Sequence, residues 1–269
     1  MVFVCEYVLN DNCENLKGVE LMKDLKGKVA LITGAATGIG RAASLILAEK
    51  GANIVINYYP GTEKKAEDTF SEVQKFGVKG MIYPADVSKD AEVREMFNKA
   101  MELFGRLDIL VNNAGVTNFV DLHDLEGLRE EYWDRAFNVN SKAIFFTSRA
   151  CAEELKKNKG CIVNTTSTAG FNGRGSSMAY AASKAAGISI TKSLALVLAP
   201  EVRVNSVAPG IVLTRWVEGK EDHVNRLSAG TPLGKPANAE DIAEVIVSLI
   251  TSAALITGQT IVVDGGFNI

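Results

Sequence analysis

Short apolar stretches of strand length alternate with stretches of helical periodicity from Lys28 to the end of the chain. Seven apolar stretches fit strands, at 28–33, 53–57, 79–84, 107–111, 161–166, 202–207 and 260–263. Between them, apolar residues recur at helical spacing in 38–50, 89–103, 131–157, 177–199 and 239–251. Continuous apolar strands separated by helices are typical of a parallel sheet that is covered on both faces. The pattern predicts an α/β fold with a doubly wound, seven-stranded parallel sheet, in one domain over residues 25–269.

Residues 1–24 lie outside this alternation and form an N-terminal extension of doubtful status. They are of mixed polarity, and Met22, which is followed by Lys-Asp-Leu-Lys-Gly-Lys, resembles a natural start. The stretch also makes a poor signal peptide, because it lacks a basic segment and carries Glu6 in its apolar part. Two interpretations stay open for residues 1–21: a mis-assigned upstream extension, or a short arm that packs on the domain or on a neighbouring subunit.

The charge balance and the residue types argue against several classes of protein. The 269 residues include 29 Lys and Arg against 32 Asp and Glu, so no basic excess favours nucleic acid or an anionic membrane as a partner. No apolar run reaches the length of about 18 residues that a membrane span needs. The cysteines form no Cys-x-x-Cys pair, and His123 and His223 lie far apart, so we expect no metal site. Unpaired thiols indicate a reducing compartment, and we expect a cytoplasmic protein.

A glycine-rich segment follows the first predicted strand and opens the first predicted helix. It runs Thr-Gly-Ala-Ala-Thr-Gly-Ile-Gly and contains Gly34, Thr37, Gly38, Ile39 and Gly40. Glycines permit a tight turn and a close approach of backbone to a pyrophosphate, and a helix N-terminus offers free N–H groups to it. The segment therefore predicts a dinucleotide site, although a plain strand–helix turn has the same local pattern.

The spacing Gly-x-x-x-Gly-x-Gly differs from the common Gly-x-Gly-x-x-Gly fingerprint, and here the chain resembles the short-chain dehydrogenases/reductases. Further motifs carry the resemblance: Asp86-Val87, Asn112-Asn113-Ala114-Gly115, Asn138-Val139-Asn140, Asn164-Thr165-Thr166-Ser167, Tyr180-Ala-Ala-Ser-Lys184, and Pro209-Gly210 with Thr214. The resemblance covers about residues 25–269. It implies a Rossmann-type three-layer sandwich and NAD(P) as the cofactor.

The resemblance also implies a catalytic group of Ser167, Tyr180, Lys184 and Asn140. Tyr180 and Lys184 are four residues apart on a predicted helix, so their side chains lie on the same side. The pKa of a free tyrosine, near 10, is too high for a base at neutral pH, and we expect the ammonium and a positively charged nicotinamide ring to lower it. Tyr180 would then exchange a proton with the substrate oxygen that Ser167 orients. Asn140 is implied to hold a water that links Lys184 to solvent.

The resemblance implies a cofactor site formed by a larger set of residues. They are Gly34, Thr37, Gly38, Ile39, Gly40, Asn57, Asp86, Val87, Asn113, Ala114, Gly115, Tyr180, Lys184, Pro209, Gly210, Val212 and Thr214. An Asp at the end of the second strand would bind the ribose 2′-hydroxyl and repel a 2′-phosphate. This chain has Asn57 there, with Lys64 and Lys65 nearby. We therefore favour NADP, while dual use and a plain solvated helix turn for the two lysines stay open.

Two classes of function fit these motifs: an NAD(P)-dependent oxidoreductase acting on CH–OH groups, and a nucleotide-binding scaffold without turnover. Within the first class, the glycine loop and the Asn-Tyr after the second strand look most like glucose 1-dehydrogenases and 3-oxoacyl-carrier-protein reductases. A glucose 1-dehydrogenase-type enzyme is the main interpretation, and the carrier-protein reductase is the alternative. The alternative needs a basic docking patch, for which Arg129, Arg135 and Arg174 are candidates, although acidic residues surround the first two.

Substrate choice and assembly are also implied by the resemblance. Residues 211–235, with Trp216, His223 and Leu227, match a variable lid over a small-molecule substrate, and the loop 170–177 faces it. We expect the glycines of that loop to loosen it. Trp216 fits a wall for a sugar ring or acyl chain, or plain packing. A homotetramer is expected, paired through the helices at 131–157 and 177–199 and the C-terminal strand.

Overall fold

The computed structural model describes residues 24–219, 224 and 228–269. The strands are β1 (Val29–Ile32), β2 (Asn53–Tyr58), β3 (Gly80–Pro84), β4 (Ile109–Asn112), β5 (Cys161–Thr165), β6 (Arg203–Pro209), β7 (Val212–Leu213), β8 (Ala237–Asn238) and β9 (Thr260–Val263). Seven of them form one parallel sheet in the order β3-β2-β1-β4-β5-β6-β9, and β7 pairs with β8 apart from it. The predicted Rossmann-type α/β fold is confirmed.

Helices cover both faces of this sheet. They are α1 (Gly38–Glu49), α2 (Glu63–Gln74), α3 (Asp90–Phe104), α4 (Glu130–Phe137), α5 (Ala143–Lys157), α6 (Ala169–Asn172), α7 (Met178–Leu198) and α8 (Ala239–Thr251). One apolar core lies between the sheet and α1, α2 and α8, and the other lies between the sheet and α3, α5 and α7. Each face therefore buries one layer of helices, as continuous apolar strands require.

Two helical segments differ from the sequence prediction. The periodicity did not single out α2, because it buries only Ala66, Thr69 and Val73 and is otherwise polar. The helix predicted over 131–157 is interrupted by a π-type turn at Asn138–Lys142, which separates α4 from α5. Such a turn shifts the hydrogen-bond ladder by one residue and is frequent at functional sites.

The strand order places one crevice at the centre of the sheet. The chain winds from β1 towards β3 on one side and from β4 towards β9 on the other, so the direction reverses between β1 and β4. Ligands of open α/β sheets bind outside the carboxyl ends of the strands at such a reversal. The glycine loop after β1 and the loop after β4 both lie at this point.

A buried polar network ties the two central strands to the helices beneath the crevice. The Asn112 amide donates to Asn164 Oδ1 (2.9 Å) and accepts from Thr147 Oγ1 (2.6 Å). The Asn164 amide in turn donates to Thr191 Oγ1 (2.9 Å). All four side chains are buried. The network joins β4 and β5 to α5 and α7, from which the site is built.

Several sequence predictions fall outside the described residues: the interpretations of residues 1–21, and the lid residues His223 and Leu227. Within the described part, no cluster of His, Cys, Asp or Glu could hold a metal ion. One described helix, α7, is long and apolar enough to cross a membrane, and half of that stretch is buried inside the fold.

Candidate active site

A cavity of about 1090 Å³ opens at the carboxyl ends of the strands. All of the predicted site residues line it, with the exceptions of Gly40 and Asn140. Tyr58, Tyr59, Thr62 and Lys65 line one end, beyond the glycine loop. The sequence motifs therefore supplied many of the residues that line the cavity, and the structure adds others, such as those at this end.

The glycine loop packs so closely on the loop after β4 that Gly34 and Gly40 leave no room for a side chain at either position. Gly34 has a φ of +62°, and a Cβ added there would lie 2.8 Å from Ala114 Cα. A Cβ on Gly40 would lie 2.5 Å from Asn113 Nδ2. Gly40 is predicted to bind the cofactor, but it lies behind the loop, where it allows α1 to approach the strand ends. Gly34, Ala36, Thr37, Gly38 and Ile39 line the cavity from this loop.

The Asn57 side chain is engaged by the protein itself. Its Oδ1 accepts a hydrogen bond from the Gly34 N–H (3.2 Å), and its Nδ2 donates to the Ala85 carbonyl (3.1 Å). The residue is also buried. Both polar atoms of the amide are therefore used within the protein, and the predicted cofactor contact of Asn57 stays a prediction. Asn57 fixes the glycine loop to the ends of β2 and β3.

Ser167 and Tyr180 both line the cavity, where the Ser167 hydroxyl lies near enough to oppose the rise of the Tyr180 pKa and donates to the Pro209 carbonyl (3.5 Å). Ser167 follows β5 by two residues, and its Oγ accepts a hydrogen bond from the Ala169 N–H (3.2 Å). Tyr180 lies in the first turn of α7, which Ser177 caps by accepting from the Tyr180 N–H (3.2 Å). The Trp216 ring meets the Tyr180 ring edge-on, with centroids 6.1 Å apart. Two hydroxyl groups thus converge where one carbonyl oxygen can accept from both.

Lys184 lies one helical turn further along α7 and is buried. Its Nζ donates to the Thr165 carbonyl (2.8 Å) and lies 5.7 Å from the centroid of the Tyr180 ring. Burial lowers the pKa of Lys184 to about 8. Burial also raises the pKa of Tyr180 to about 12, against the opposing effect of the Ser167 hydrogen bond. The predicted lowering of the Tyr180 pKa is therefore not supplied by the protein's own groups, because desolvation outweighs the distant ammonium.

Asn140 lies in the π-type turn, and its side chain joins two elements. Its Oδ1 accepts from the Val116 N–H (2.8 Å), while its Nδ2 donates to the Val116 carbonyl (3.0 Å) and to Ser183 Oγ (2.9 Å). Both amide hydrogens are used. Asn140 thus clamps the loop after β4 to α7, and its role in holding a water stays a prediction.

The loop 170–177 is more firmly anchored than expected. Gly170 lies in α6, and a Cβ there would be 2.8 Å from the Ala185 backbone nitrogen, so this glycine permits close packing on α7. Ser176 is hydrogen-bonded to Thr117 through its hydroxyl group, and its carbonyl accepts from the Val120 N–H (2.8 Å). The expectation that its glycines loosen this loop is wrong at Gly170, because this glycine lets α6 pack closely on α7.

The substrate end of the cavity has apolar walls that the sequence did not identify. Phe119, Leu122 and Phe267 line it beside Trp216. Of the predicted docking arginines, Arg135 and Arg174 line the cavity, while Arg129 is paired with Glu131 (3.1 Å). The walls come from loops without periodicity, so no sequence pattern marks them. Only Phe267 had a local sequence signal for such a position, because it is an apolar residue directly after the Gly265-Gly266 turn.

Replacing Lys184 by Met is expected to raise the melting temperature at pH 7 by about 5 °C. The unfolded chain holds the Lys184 proton more tightly than the folded one, so burying the charged Lys184 lowers the free energy of unfolding. This destabilisation is complete below pH 8 and vanishes above the usual pKa of 10.5. Removing the charge should therefore stabilise the protein by about 3 kcal/mol at pH 7. Loss of the hydrogen bond to the Thr165 carbonyl offsets about 1 kcal/mol of that gain. Thermal melting at pH 7 and pH 10 measures the effect, which should shrink at pH 10. Lys192→Met, on the exposed side of α7, is the control. Equal behaviour of the two variants would contradict the prediction.

Comparison with known proteins agrees with this geometry. Residues 34–268 match a family model described as enoyl-(acyl carrier protein) reductase. The chain is 37% identical over 243 residues to a 3-oxoacyl-[acyl-carrier-protein] reductase of Staphylococcus epidermidis, covering 89% of this chain and 98% of the relative. It is 36% identical over 250 residues to the reductase of the same name from Thermotoga maritima, covering 90% and 98%. A crystal structure of a short-chain type dehydrogenase/reductase from Mycobacterium marinum superposes with a TM-score of 0.84 at 33% identity, covering 91% and 97%.

The fold and these relatives define an NAD(P)-dependent oxidoreductase of the Rossmann type that acts on CH–OH groups. Its glycine loop, its Asn-Asn-Ala-Gly segment and its Tyr-x-x-x-Lys pair lie together at one cavity. The chain belongs to the short-chain dehydrogenase/reductase family.

Proposed function

We propose that this enzyme reduces the 3-oxo group of acyl thioesters to a hydroxyl group. The observation that carries the proposal is the similarity, over about nine-tenths of the chain, to two bacterial 3-oxoacyl-[acyl-carrier-protein] reductases. These relatives favour the alternative interpretation of the sequence over the glucose 1-dehydrogenase type. Phe119, Leu122 and Phe267 add apolar surface to the cavity against which an acyl chain can pack.

The protonation state of Tyr180 suits the role of proton donor in carbonyl reduction. Because the pKa of Tyr180 is raised to about 12, the phenol keeps its proton throughout the neutral range. Ser167 and Tyr180 can therefore both donate to a carbonyl oxygen, and Tyr180 can pass its proton to that oxygen as the alcohol forms. The reduced nicotinamide supplies the hydride when it is bound.

The cavity fits NAD(P) along its length. We place the diphosphate at Thr37–Ile39, where backbone N–H groups begin a helix and a side chain at Gly38 (φ +58°) would contact Thr214. The adenine then lies at Asp86 and Val87, and the nicotinamide lies at Asn113, Ala114 and Gly115. Pro209, Gly210, Val212 and Thr214 close the nicotinamide end.

Lys65 is our candidate for selecting NADPH. Lys64 points away into an exposed ion pair with Asp68 (3.0 Å), whereas Lys65 lines the cavity beside Tyr59 and Thr62. Replacing Lys65 by Gln should weaken NADPH binding about tenfold, the effect of losing one charged contact to a 2′-phosphate, and leave NADH binding unchanged. Fluorescence titration of both cofactors measures this. Lys64→Gln is the matched control and should change neither Kd. Equal NADPH affinity of the Lys65 variant and the unaltered protein would refute the assignment.

A substrate panel tests the proposed reaction. The panel contains 3-oxobutanoyl and crotonoyl thioesters with NADPH, and glucose with NADP⁺, all followed by nicotinamide absorbance. We expect kcat/KM for the 3-oxo thioester to exceed the others by at least about 100-fold, a difference of about 2.7 kcal/mol. Preferred oxidation of glucose, preferred reduction of the crotonoyl double bond, or no turnover at all would each overturn the proposal.

We also propose that the protein is a homotetramer, as the family resemblance implies. Leu196 and Val197 at the end of α7 are mostly exposed, as is Leu255, and Val262 of β9 is nearly half exposed. Apolar residues grouped in this way on α7 and near the C-terminal strand suit burial against further copies of the chain.

A further inference from the structure

A side pocket of about 270 Å³ opens from the substrate end of the main cavity. It is lined by Gly115, Val116, Thr117, Phe119, Arg135, Arg215 and Trp216. The two arginines come from separate elements, since Arg135 lies on α4 and Arg215 begins the 3₁₀ turn Arg215–Val217. Two aromatic rings and two guanidinium groups therefore border one small space.

The pocket has positive charge that no described residue neutralises. Neither the Arg135 nor the Arg215 guanidinium makes an ion pair or hydrogen bond with any residue in the described part of the chain. None of the seven described lining residues is acidic. Of the acids on α4 that line the main cavity, Glu131 is paired with Arg129, and Asp134 lies outside the side pocket. Guanidinium groups bind carboxylate and phosphate oxygens in pairs, so this arrangement suits an anion.

The pocket begins next to the reacting groups. A Cβ added at Gly115, which lines both cavities, would lie 3.5 Å from Trp216 Cη2 and 3.5 Å from Lys184 Nζ. Trp216 is shared in the same way, since its ring also contacts the Tyr180 ring. A molecule whose carbonyl oxygen is held by Ser167 and Tyr180 can therefore extend directly into the side pocket.

We propose that the side pocket binds an anionic group, a carboxylate or a phosphate, that the carbonyl substrate itself carries. The inference rests on the proposed function and adds a charge requirement to it. Phe119 and Trp216 pack against the carbon chain, and Arg135 and Arg215 bind the anion. Two sources share this chemistry: the carboxylate of a free oxo acid, and a phosphate of the pantetheine arm in a thioester.

Charge-removing variants test the proposal with three substrates of the same acyl group. The substrates are 3-oxobutanoyl-coenzyme A, free 3-oxobutanoate, and the neutral N-acetylcysteamine thioester, each measured for Arg135→Gln, Arg215→Gln and the unaltered protein. For at least one anionic substrate, KM should rise about tenfold or more in both variants, the effect of losing one charge-assisted contact. KM for the neutral thioester should stay within twofold. The anionic substrate that responds identifies the source of the anion.

A control and a folding check separate the outcomes. Arg94→Gln removes the same charge from α3, away from both the main cavity and the side pocket, so it should leave all three KM values unchanged. Thermal melting verifies that each variant is folded. The proposal is overturned if both variants leave every KM unchanged, or if they raise KM for the neutral thioester equally. Absence of thioester reduction by the unaltered protein would instead refute the proposed function, and the oxo acid would still report on the pocket.

Discussion

Replacing Tyr180 by Phe is expected to lower kcat for carbonyl reduction by about 10³-fold, because the variant loses the phenol that passes its proton to the substrate oxygen. The ring is otherwise unchanged, so its edge-on contact with Trp216 remains. Cofactor affinity should therefore stay within about twofold of the unaltered protein. Steady-state reduction of the 3-oxobutanoyl thioester measures the first effect, and a fluorescence titration with NADPH measures the second.

The same variant separates the enzyme from the scaffold alternative. Tyr132→Phe removes a hydroxyl group from the surface of α4, where it meets Arg129, and serves as the matched control with unchanged kcat. If Tyr180→Phe kept full turnover, the assignment of the acid to Tyr180 would be wrong. If the unaltered protein bound NADPH but turned over no carbonyl substrate, the scaffold interpretation would gain support.

Replacing Gly34 by Ala should destabilise the protein by about 3 kcal/mol and weaken cofactor binding at least about tenfold. The new Cβ would lie 2.8 Å from Ala114 Cα, and because that contact is with backbone, the loops after β1 and β4 must separate to relieve it. Gly34 also donates its N–H to Asn57, so the displacement would break the bond that fixes the glycine loop. Urea unfolding and an NADPH titration measure the two effects.

Gly27 offers a control with the same backbone conformation. Its φ is +75°, close to that of Gly34, but a Cβ there meets nothing within 4 Å. Gly27→Ala should therefore show only the cost of the left-handed conformation, about 1 kcal/mol, with unchanged cofactor affinity. If the two variants behaved alike, the close approach of the two loops would not be what the glycine at position 34 provides.

The sheet was predictable because its strands are buried on both faces, which leaves continuous apolar runs in the sequence. The site motifs were predictable because they follow strand ends, and the strand order brings those ends together. Helix α2 was not, since its apolar stripe is narrow and lies on an otherwise polar helix: only Ala66, Phe70 and Val73 pack on the core. The turn at Asn138–Lys142 was also hidden, because its hydrogen-bond shift leaves no mark in residue type.

Residue type also failed to indicate how two site residues are used. Asn57 has the right place for a ribose contact, but whether its amide is free depends on the Gly34 N–H and the Ala85 carbonyl, which come from other strands. The Tyr180 pKa depends on how deeply α7 is buried, and helical spacing to Lys184 does not report that. Local sequence identifies a functional group, whereas its state depends on contacts that only the folded chain provides.

The Thr147–Asn112–Asn164–Thr191 network has a consequence for how this sequence can change over time. Loss of any one member leaves a buried polar partner unsatisfied, at a cost of about 1–3 kcal/mol, which is a large share of a typical protein's stability. Replacement by apolar residues is tolerable only when partners change together. These four positions should therefore drift more slowly than the apolar residues around them, and any attempt to redesign the floor of the site should treat them as a single unit.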